Sequence, residues 1–494
     1  MKKLFALVLA CMMALSLCSF AGADGDVVKL TWAMGTGDVA PADNARVLEA
    51  LNAYSRDKIG VEVDIQYFTD EQLQTSINAG EVFDIYFTCS WYNNTNQCIS
   101  QGLFANIADQ VKNYPGLYNA MSEDVWELAT NADGTLYAIP NKKDYAAMNF
   151  VTYPAEKAEE LGFEIPESIN AFSDLTDFLV AWKATLPDGE YPFLVGGVSP
   201  GIESSFDFID RTAMIGCIYG TTKVCSVFDD PAVMERYRTI HDWFTKGIIN
   251  PDAAQLKETS IDTTKQRINT VQAWTGYDGY TVSNGYVTNM TLYAGPNLSV
   301  DSIQGSMNAL SVTLEEDPVK MDAALRLFEL IHTDKYYADM LRFGEEGYHW
   351  NYVTEEQSKD CAGGVMRTQE GKDGYNPWAF AQPAYFFTSI PVSQDQIDGK
   401  APAPNFDQYN QYYEDVKNKA IVSAMGGFKW DSSNFTDNLA EITAIKDQYY
   451  NNFASGTISI DDVYDEMIQK MNSAGLQEMI ADAQAQLDAY LAAN

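Results

Sequence analysis

The chain has 494 residues, of which 69 are acidic and 32 basic, for a formal net charge of −37. A field of that sign repels phosphate backbones and anionic headgroups, which speaks against nucleic acid as a partner. An apolar content of 46% with 13% aromatics excludes a disordered chain, and the length calls for two large domains or several smaller ones.

The first 23 residues read as an export signal. Lys2 and Lys3 form a positive start, residues 4–17 are apolar apart from Ser16, and Ala21-Gly22-Ala23 fits a small-x-small cleavage site with Asp24 as the first mature residue. The apolar run is too short to span a bilayer, and no later run of about 20 apolar residues follows. The sequence predicts an extracellular, cell-surface or periplasmic protein. Leu15-Ser16-Leu17-Cys18 resembles a lipoprotein box, but Leu17 is bulky where a small residue is wanted, so free secretion is the reading and lipid anchoring at Cys18 the alternative. The mature chain keeps 30 basic against 69 acidic residues, a net charge of −39.

Residues 27–32 read as a short apolar strand, followed by a turn at Gly35-Thr36-Gly37. Residues 43–58 have helical spacing through Val47, Leu48, Leu51 and Tyr54. Val61, Val63, Ile65 and Tyr67 alternate as a strand does, and Thr69-Asp70-Glu71-Gln72 opens a second helix with a capping box. Residues 83–88 suit a buried parallel strand. Strands alternating with helices imply βαβ units in an open α/β sheet, which binds ligands at the carboxyl ends of its strands. Two loops sit there, residues 34–41 and 90–94, the second reading Ser90-Trp91-Tyr92-Asn93-Asn94. Further on come a turn at Asp133-Gly134, a strand over 136–139, and helices over 173–185, 230–246 and 317–343. The last two start with Asp-Pro, an N-cap followed by proline in the first turn. The tail, 459–491, reads as mostly helical.

Five cysteines remain after cleavage: Cys89, Cys98, Cys217, Cys225 and Cys361. Export permits disulfides, and Cys89–Cys98 and Cys217–Cys225 are close enough in sequence to pair, but a small apolar core residue is the simpler reading of most of them. Their spacing matches no zinc pattern, and the three histidines are scattered, so no metal site and no cofactor is expected.

Gly197-Val198-Ser199-Pro200-Gly201 matches G-x-S-x-G, the nucleophile elbow of serine hydrolases. The residue after the nucleophile must give its backbone N–H to an oxyanion, and Pro200 has none. The segment is therefore read as a turn, and no catalytic residue is assigned. Adjacent carboxylates such as Glu345-Glu346 do not face each other across a cleft as a glycosidase requires, though this pair sits in a glycine-flanked, aromatic-rich loop. The stronger signal is large aromatics beside polar groups in turn-like segments: Trp91-Tyr92, Trp274-Thr275-Gly276-Tyr277-Asp278, the Tyr348–Tyr352 run, Pro377-Trp378 and Lys429-Trp430-Asp431. A sugar ring offers an apolar face of C–H groups and a rim of hydroxyls, which such walls complement.

Taken in order, several segments resemble a family. They are residues 79–85, Gly102-Leu103-Phe104-Ala105-Asn106-Ile107, Asp133-Gly134-Thr135-Leu136-Tyr137-Ala138-Ile139-Pro140, and Phe343-Gly344-Glu345-Glu346-Gly347-Tyr348-His349-Trp350. So arranged, the mature chain resembles the extracellular solute-binding proteins of bacterial ABC importers, carbohydrate-type family 1, and the stretch from Gly426 onward resembles their helical C-terminal extension. The resemblance implies a two-lobe, class II periplasmic-binding-protein-like α/β fold with a cleft and a hinge. Lobe 1 would comprise 24–144 and 302–345, and lobe 2 would comprise 145–301 and 346–494. It implies a non-catalytic monomer that captures a sugar or oligosaccharide and hands it to membrane permease subunits. By similarity Ser90-Trp91 and Trp274 to Asp278 would face each other across the cleft; with the aromatic and polar segments above, the expected ligand-binding residues are Ser90, Trp91, Tyr92, Asn93, Tyr145, Trp274, Tyr277, Asp278, Glu346, Trp350 and Trp378. The alternatives are a secreted carbohydrate-active enzyme using Glu345 or Glu346 as an acid, and a receptor for peptides or other polar solutes, for which Arg211 and Asp278 would matter more.

Overall fold

The computed structural model describes residues 27–37, 39–90, 92–131, 133–143, 146–166, 168–196, 201–256, 265–272, 280–283, 286–400, 403–407 and 419–493. The export segment, Cys18 and the Gly197-Val198-Ser199-Pro200 stretch lie outside the described residues. In chain order the strands are β1 (Val28–Gly35), β2 (Val61–Phe68), β3 (Ile85–Thr88), β4 (Ala138–Pro140), β5 (Ala147–Pro154), β6 (Phe206–Asp210), β7 (Ile215–Ile218), β8 (Val224–Ser226), β9 (Asn269–Gln272), β10 (Tyr280–Ser283), β11 (Tyr286–Leu298), β12 (Met307–Leu310), β13 (Trp350–Tyr352), β14 (Val365–Arg367) and β15 (Ile421–Val422).

The first sheet has the order β2-β1-β3-β12-β4. β1 lies parallel to β2 and β3, while β12 runs antiparallel to β3 and β4. The strand–helix–strand reading of the first segment holds. The helix Asn44–Ile59 buries Val47 and Leu51 against the sheet, and the helix Asp70–Asn78 starts with the expected capping box, Gln72 N–H donating to Thr69 Oγ1 at 3.3 Å and Thr69 N–H to Gln72 Oε1 at 2.9 Å. The second sheet has the order β10-β11-β5-β9, and a three-stranded antiparallel sheet, β6-β7-β8, lies near it in sequence and core. The buried apolar residues separate accordingly. One core gathers Leu30, Trp32, Phe87, Leu310 and Phe328. A second gathers Phe172, Trp182, Ile215, Trp243 and the tail residues Met467, Met479 and Leu487. This is a two-lobe α/β fold with a helical C-terminal extension.

The chain passes between the lobes from β4 to β5 and returns from β11 through the helix Val300–Gln304 to β12. The two connections run side by side, because β4 and β12 are neighbours in one sheet and β5 and β11 in the other. A closed chain of buried hydrogen bonds ties them to β1. Trp32 Nε1 donates to Asn308 Oδ1 at 2.9 Å, Asn308 Nδ2 to Asn141 Oδ1 at 2.7 Å, and Asn141 Nδ2 to Ser306 Oγ at 2.6 Å.

The structure departs from the sequence reading in three places. The helix expected over 317–343 is two, Pro318–Thr333 and Lys335–Phe343. Asp334 breaks it with extended backbone, accepting from Tyr337 N–H at 3.1 Å as the second helix's N-cap and from Tyr54 Oη at 2.8 Å. The tail divides at Gly475, whose φ of +96° suits glycine and where a Cβ would meet Asn438 Nδ2 at 2.6 Å. Finally, residues 350–384, expected in lobe 2, send Trp350, Val365, Tyr375, Ala381 and Ala384 into the first core. The reason is a loop that folds the chain back: Glu345 N–H donates to His349 Nδ1 at 2.9 Å, and Trp350 Nε1 donates to Gly344 O at 2.7 Å. Only from about Phe386 does the chain leave, packing Phe386 and Ile390 against Ala146, Met148, Phe150 and Met290 of the crossing strands.

Candidate functional site

The crossings flank a cavity of about 730 Å³ with walls from both lobes. From the first lobe come Ser90, Asn94 and Asn96, just past the carboxyl end of β3. Asn94 shapes this edge, accepting from Gln97 N–H at 3.0 Å and donating through Nδ2 to Ser90 O at 2.9 Å. From the crossings come Lys143, Asn149, Ser299, Asp301, Ser302 and Gly305. From the second lobe come Glu203, Ser204, Phe206, Phe208, Asp210, Arg211 and Tyr219. Gly201 is required here: its φ is +70°, and a Cβ would lie 2.3 Å from Tyr293 Oη. Tyr293 Oη instead donates to Gly201 O at 3.1 Å.

The charged groups of this wall are mostly engaged with protein partners. Arg211 donates through Nη2 to Asp301 Oδ2 at 2.6 Å, with its guanidinium 4.3 Å from the centre of the Phe208 ring. Burial opposes the Arg211 charge, but Asp301 outweighs it and holds the guanidinium above its ordinary pKa. Glu203 accepts from the hydroxyls of Tyr237 and Tyr450, and Asp210 accepts from Ala213 N–H at 2.7 Å. Behind the wall, Asp207 is 2% exposed and its Oδ2 has no hydrogen-bond partner among the described residues. Burial pushes its carboxyl up to about 7, against a hydrogen bond with Ser423 and with help from the Asp301 charge. Burial, then Asp207, likewise raises the Tyr219 phenol. One polar side chain of the cavity lining is itself buried and unpaired among the described residues: Asn149, 6% exposed, whose Nδ2 has no acceptor.

Of the residues singled out from sequence, Ser90 is exposed and lines the cavity. Trp378 is half-buried at the carboxyl end of β1. Its ring lies over Gly35 and Gly37, where built Cβ atoms would come within 3.4 Å and 3.3 Å of it, and stands edge-on to Tyr92 with centroids 6.2 Å apart. Three others are structural. Tyr92 is 2% exposed, packs on Phe87 and donates its hydroxyl to Phe68 O at 3.0 Å. Asn93, 1% exposed with φ of +42°, forms the turn itself: its N–H donates to Asp70 at 2.8 Å, its Nδ2 to Phe87 O at 3.1 Å, and its Oδ1 accepts from Gln74. Trp350 is fully buried with its indole N–H used within the loop. These three lack an open face for a solute. Glu346 is exposed but does not line the cavity, and Glu345 beside it is paired with Arg46. Trp91, Tyr145, Trp274, Tyr277 and Asp278 lie outside the described residues.

Asn149, Lys143, Glu203, Asp210 and Asp301 were not among the expected site residues. Their sequence signal is faint: single polar residues inside otherwise apolar strand patterns, as Asn149 between Met148 and Phe150. Arg211, expected to matter for a peptide or other polar solute, does line the cavity. All five described cysteines are free, and four are buried.

Comparison with known proteins places the chain among similar folds. The profile of a domain of unknown function, DUF3502, matches residues 424–492. A carbohydrate ABC transporter substrate-binding protein of Streptococcus pneumoniae is 20% identical over 460 residues, covering 91% of this chain and 89% of its own. The crystal structure of the N-glycan transport solute-binding protein NgtS from Streptococcus pneumoniae superposes with a TM-score of 0.78 at 18% identity, covering 94% of this chain and 99% of its own. Its complex with Man5GlcNAc gives 0.68 at 19% identity, with the same coverage. An extracellular solute-binding protein from Bifidobacterium longum subsp. infantis gives 0.61 at 16% identity, covering 95% and 99%. The two-lobe fold is thus shared along nearly the whole chain.

Proposed function

We propose that this chain is the extracellular solute-binding receptor of an ABC importer, which captures a sugar or oligosaccharide between its lobes and delivers it to membrane permease subunits. The observation that carries this reading is the cavity of about 730 Å³ at the crossings, walled from both lobes by amide, hydroxyl and charged groups with Phe208 and Tyr219 among them. That volume falls within the range of pockets that hold small-molecule ligands. Contacts to both walls would favour the lobes drawn together, and a permease that recognises only that state would couple capture to delivery. Relatives of the same fold bind glycans, as NgtS binds Man5GlcNAc.

Binding without turnover is part of the proposal. Glu345 and Glu346 stand apart from the cavity, and Glu345 is held by Arg46. No helix among the described residues is long and apolar enough to cross a membrane, and export rests on the signal read in residues 1–23.

The test is thermal unfolding of the protein against oligosaccharides, amino acids and short peptides, followed by product analysis. A solute that binds only the folded state at 100 times its Kd adds about 2.7 kcal/mol. A shift with one glycan class, recovered intact, supports the receptor. A consumed glycan replaces it with an enzyme, and a shift with peptides alone replaces the solute.

A further inference from the structure

We infer that Asn149 is a solute-reading residue of the cleft, its Nδ2 donating a hydrogen bond to an oxygen of the captured glycan. The inference rests on the receptor reading and adds to it a named specificity determinant.

The argument begins with the strand. Side chains alternate along β5. Met148 and Phe150 pack with Met290 and Phe386 on one face. Val151 and Tyr153, on the other, enter the second core. Asn149 belongs to the Val151 face but lies beyond the edge of that core, where the strand reaches the cavity. Its neighbours across the sheet are Ala294 of β11 and Gln272 of β9. The β11 ladder slips on both sides of the Ala294 pairing, so β11 bulges where it passes Asn149. An asparagine is a poor choice for a buried strand position, and here its amide is 6% exposed with Nδ2 unpaired among the described residues. A buried donor without an acceptor is destabilising. An apolar residue of similar size would serve the sheet better. The arrangement gains its use when a hydroxyl, ring or acyl oxygen of a sugar enters the cavity and accepts the bond. A buried donor also rejects an analogue lacking that oxygen, because it then stays unpaired.

Asn149→Leu and Asn149→Asp, compared with the wild type, separate this role from a structural one. Two measurements are made: thermal unfolding without solute, and calorimetric titration with Man1GlcNAc, Man5GlcNAc and kestose. Removing an orphan donor predicts that Asn149→Leu unfolds about 1–3 °C higher than the wild type. For a glycan that the wild type binds, both variants are expected to lose about tenfold or more in affinity, the aspartate because it offers an acceptor where a donor is needed. Affinities within about twofold of the wild type in both variants overturn the inference and leave the receptor standing. An Asn149→Leu protein that unfolds at a lower temperature shows the amide to be a structural bond and also overturns it. A wild type that binds neither these probes nor any glycan of the unfolding panel removes the reading on which the inference rests, and the inference with it.

Discussion

Two buried polar groupings stand at the crossings, and they are built differently. On the first-lobe side, Trp32, Asn308, Asn141 and Ser306 pass hydrogen bonds from one to the next, and both asparagines use donor and acceptor alike. On the second-lobe side, Asn149 and Asp207 each keep a polar atom that is buried and unpaired among the described residues. A closed network rigidifies the place where it sits. Unpaired buried groups cost stability, and among the described residues Asn149 is the one of them that lines the cavity. The first grouping thus fixes how the two connections leave the first lobe, and the second faces, or backs, the cavity wall.

The contrast can be broken from either side. Asn308→Ala should be the most damaging change. It leaves the Trp32 indole N–H buried without its acceptor, at about 1–3 kcal/mol, takes the Asn308 donor from Asn141 Oδ1, and opens a small cavity. A total loss of about 3–6 kcal/mol is expected in urea unfolding. A loss under about 1 kcal/mol would mean that the network is dispensable.

Asp207→Asn should act in the opposite direction. The folded-state pKa of Asp207, about 7, lies above the ordinary carboxylate value, so the folded protein binds this proton more tightly than the unfolded chain. That contribution is fully present below about pH 4 and is lost as pH rises through 7. The variant should match the wild type near pH 4 and exceed it at pH 8 by on the order of 4 kcal/mol. Parallel stability curves across that window would contradict the account.

Trp350→Phe should cost about 1–3 kcal/mol, because Gly344 O loses its donor, while glycan affinity stays unchanged. Trp378→Ala should likewise cost about 2 kcal/mol in urea unfolding, because its half-buried ring packs over Gly35 and Gly37 and edge-on to Tyr92. Glu346→Gln should be the mildest change, within about 0.5 kcal/mol in stability and without effect on binding.

The residues explain why the fold was more legible than the site. Alternation through Val61, Val63 and Ile65, the Thr69 capping box and the Asp-Pro helix starts are local signals, and the structure kept each. The break at Asp334 is a local N-cap, accepting from Tyr337 N–H, but one aspartate among so many acidic residues does not stand out as a helix start. Tyr92 and Trp350 looked like sugar-stacking rings, since an aromatic beside polar neighbours reads alike in a cavity wall and in a loop closed on its own core. Asn149 gave the opposite problem. A lone amide between two apolar residues looks like an imperfect strand until the cavity beside it is known.

The most direct measurement is a crystal structure of the protein with the glycan that shifts its unfolding most. The account predicts an intact glycan in the cavity between the lobes, with one of its oxygens within hydrogen-bond distance of Asn149 Nδ2. A glycan bound elsewhere on the surface, or one found cleaved, would contradict it.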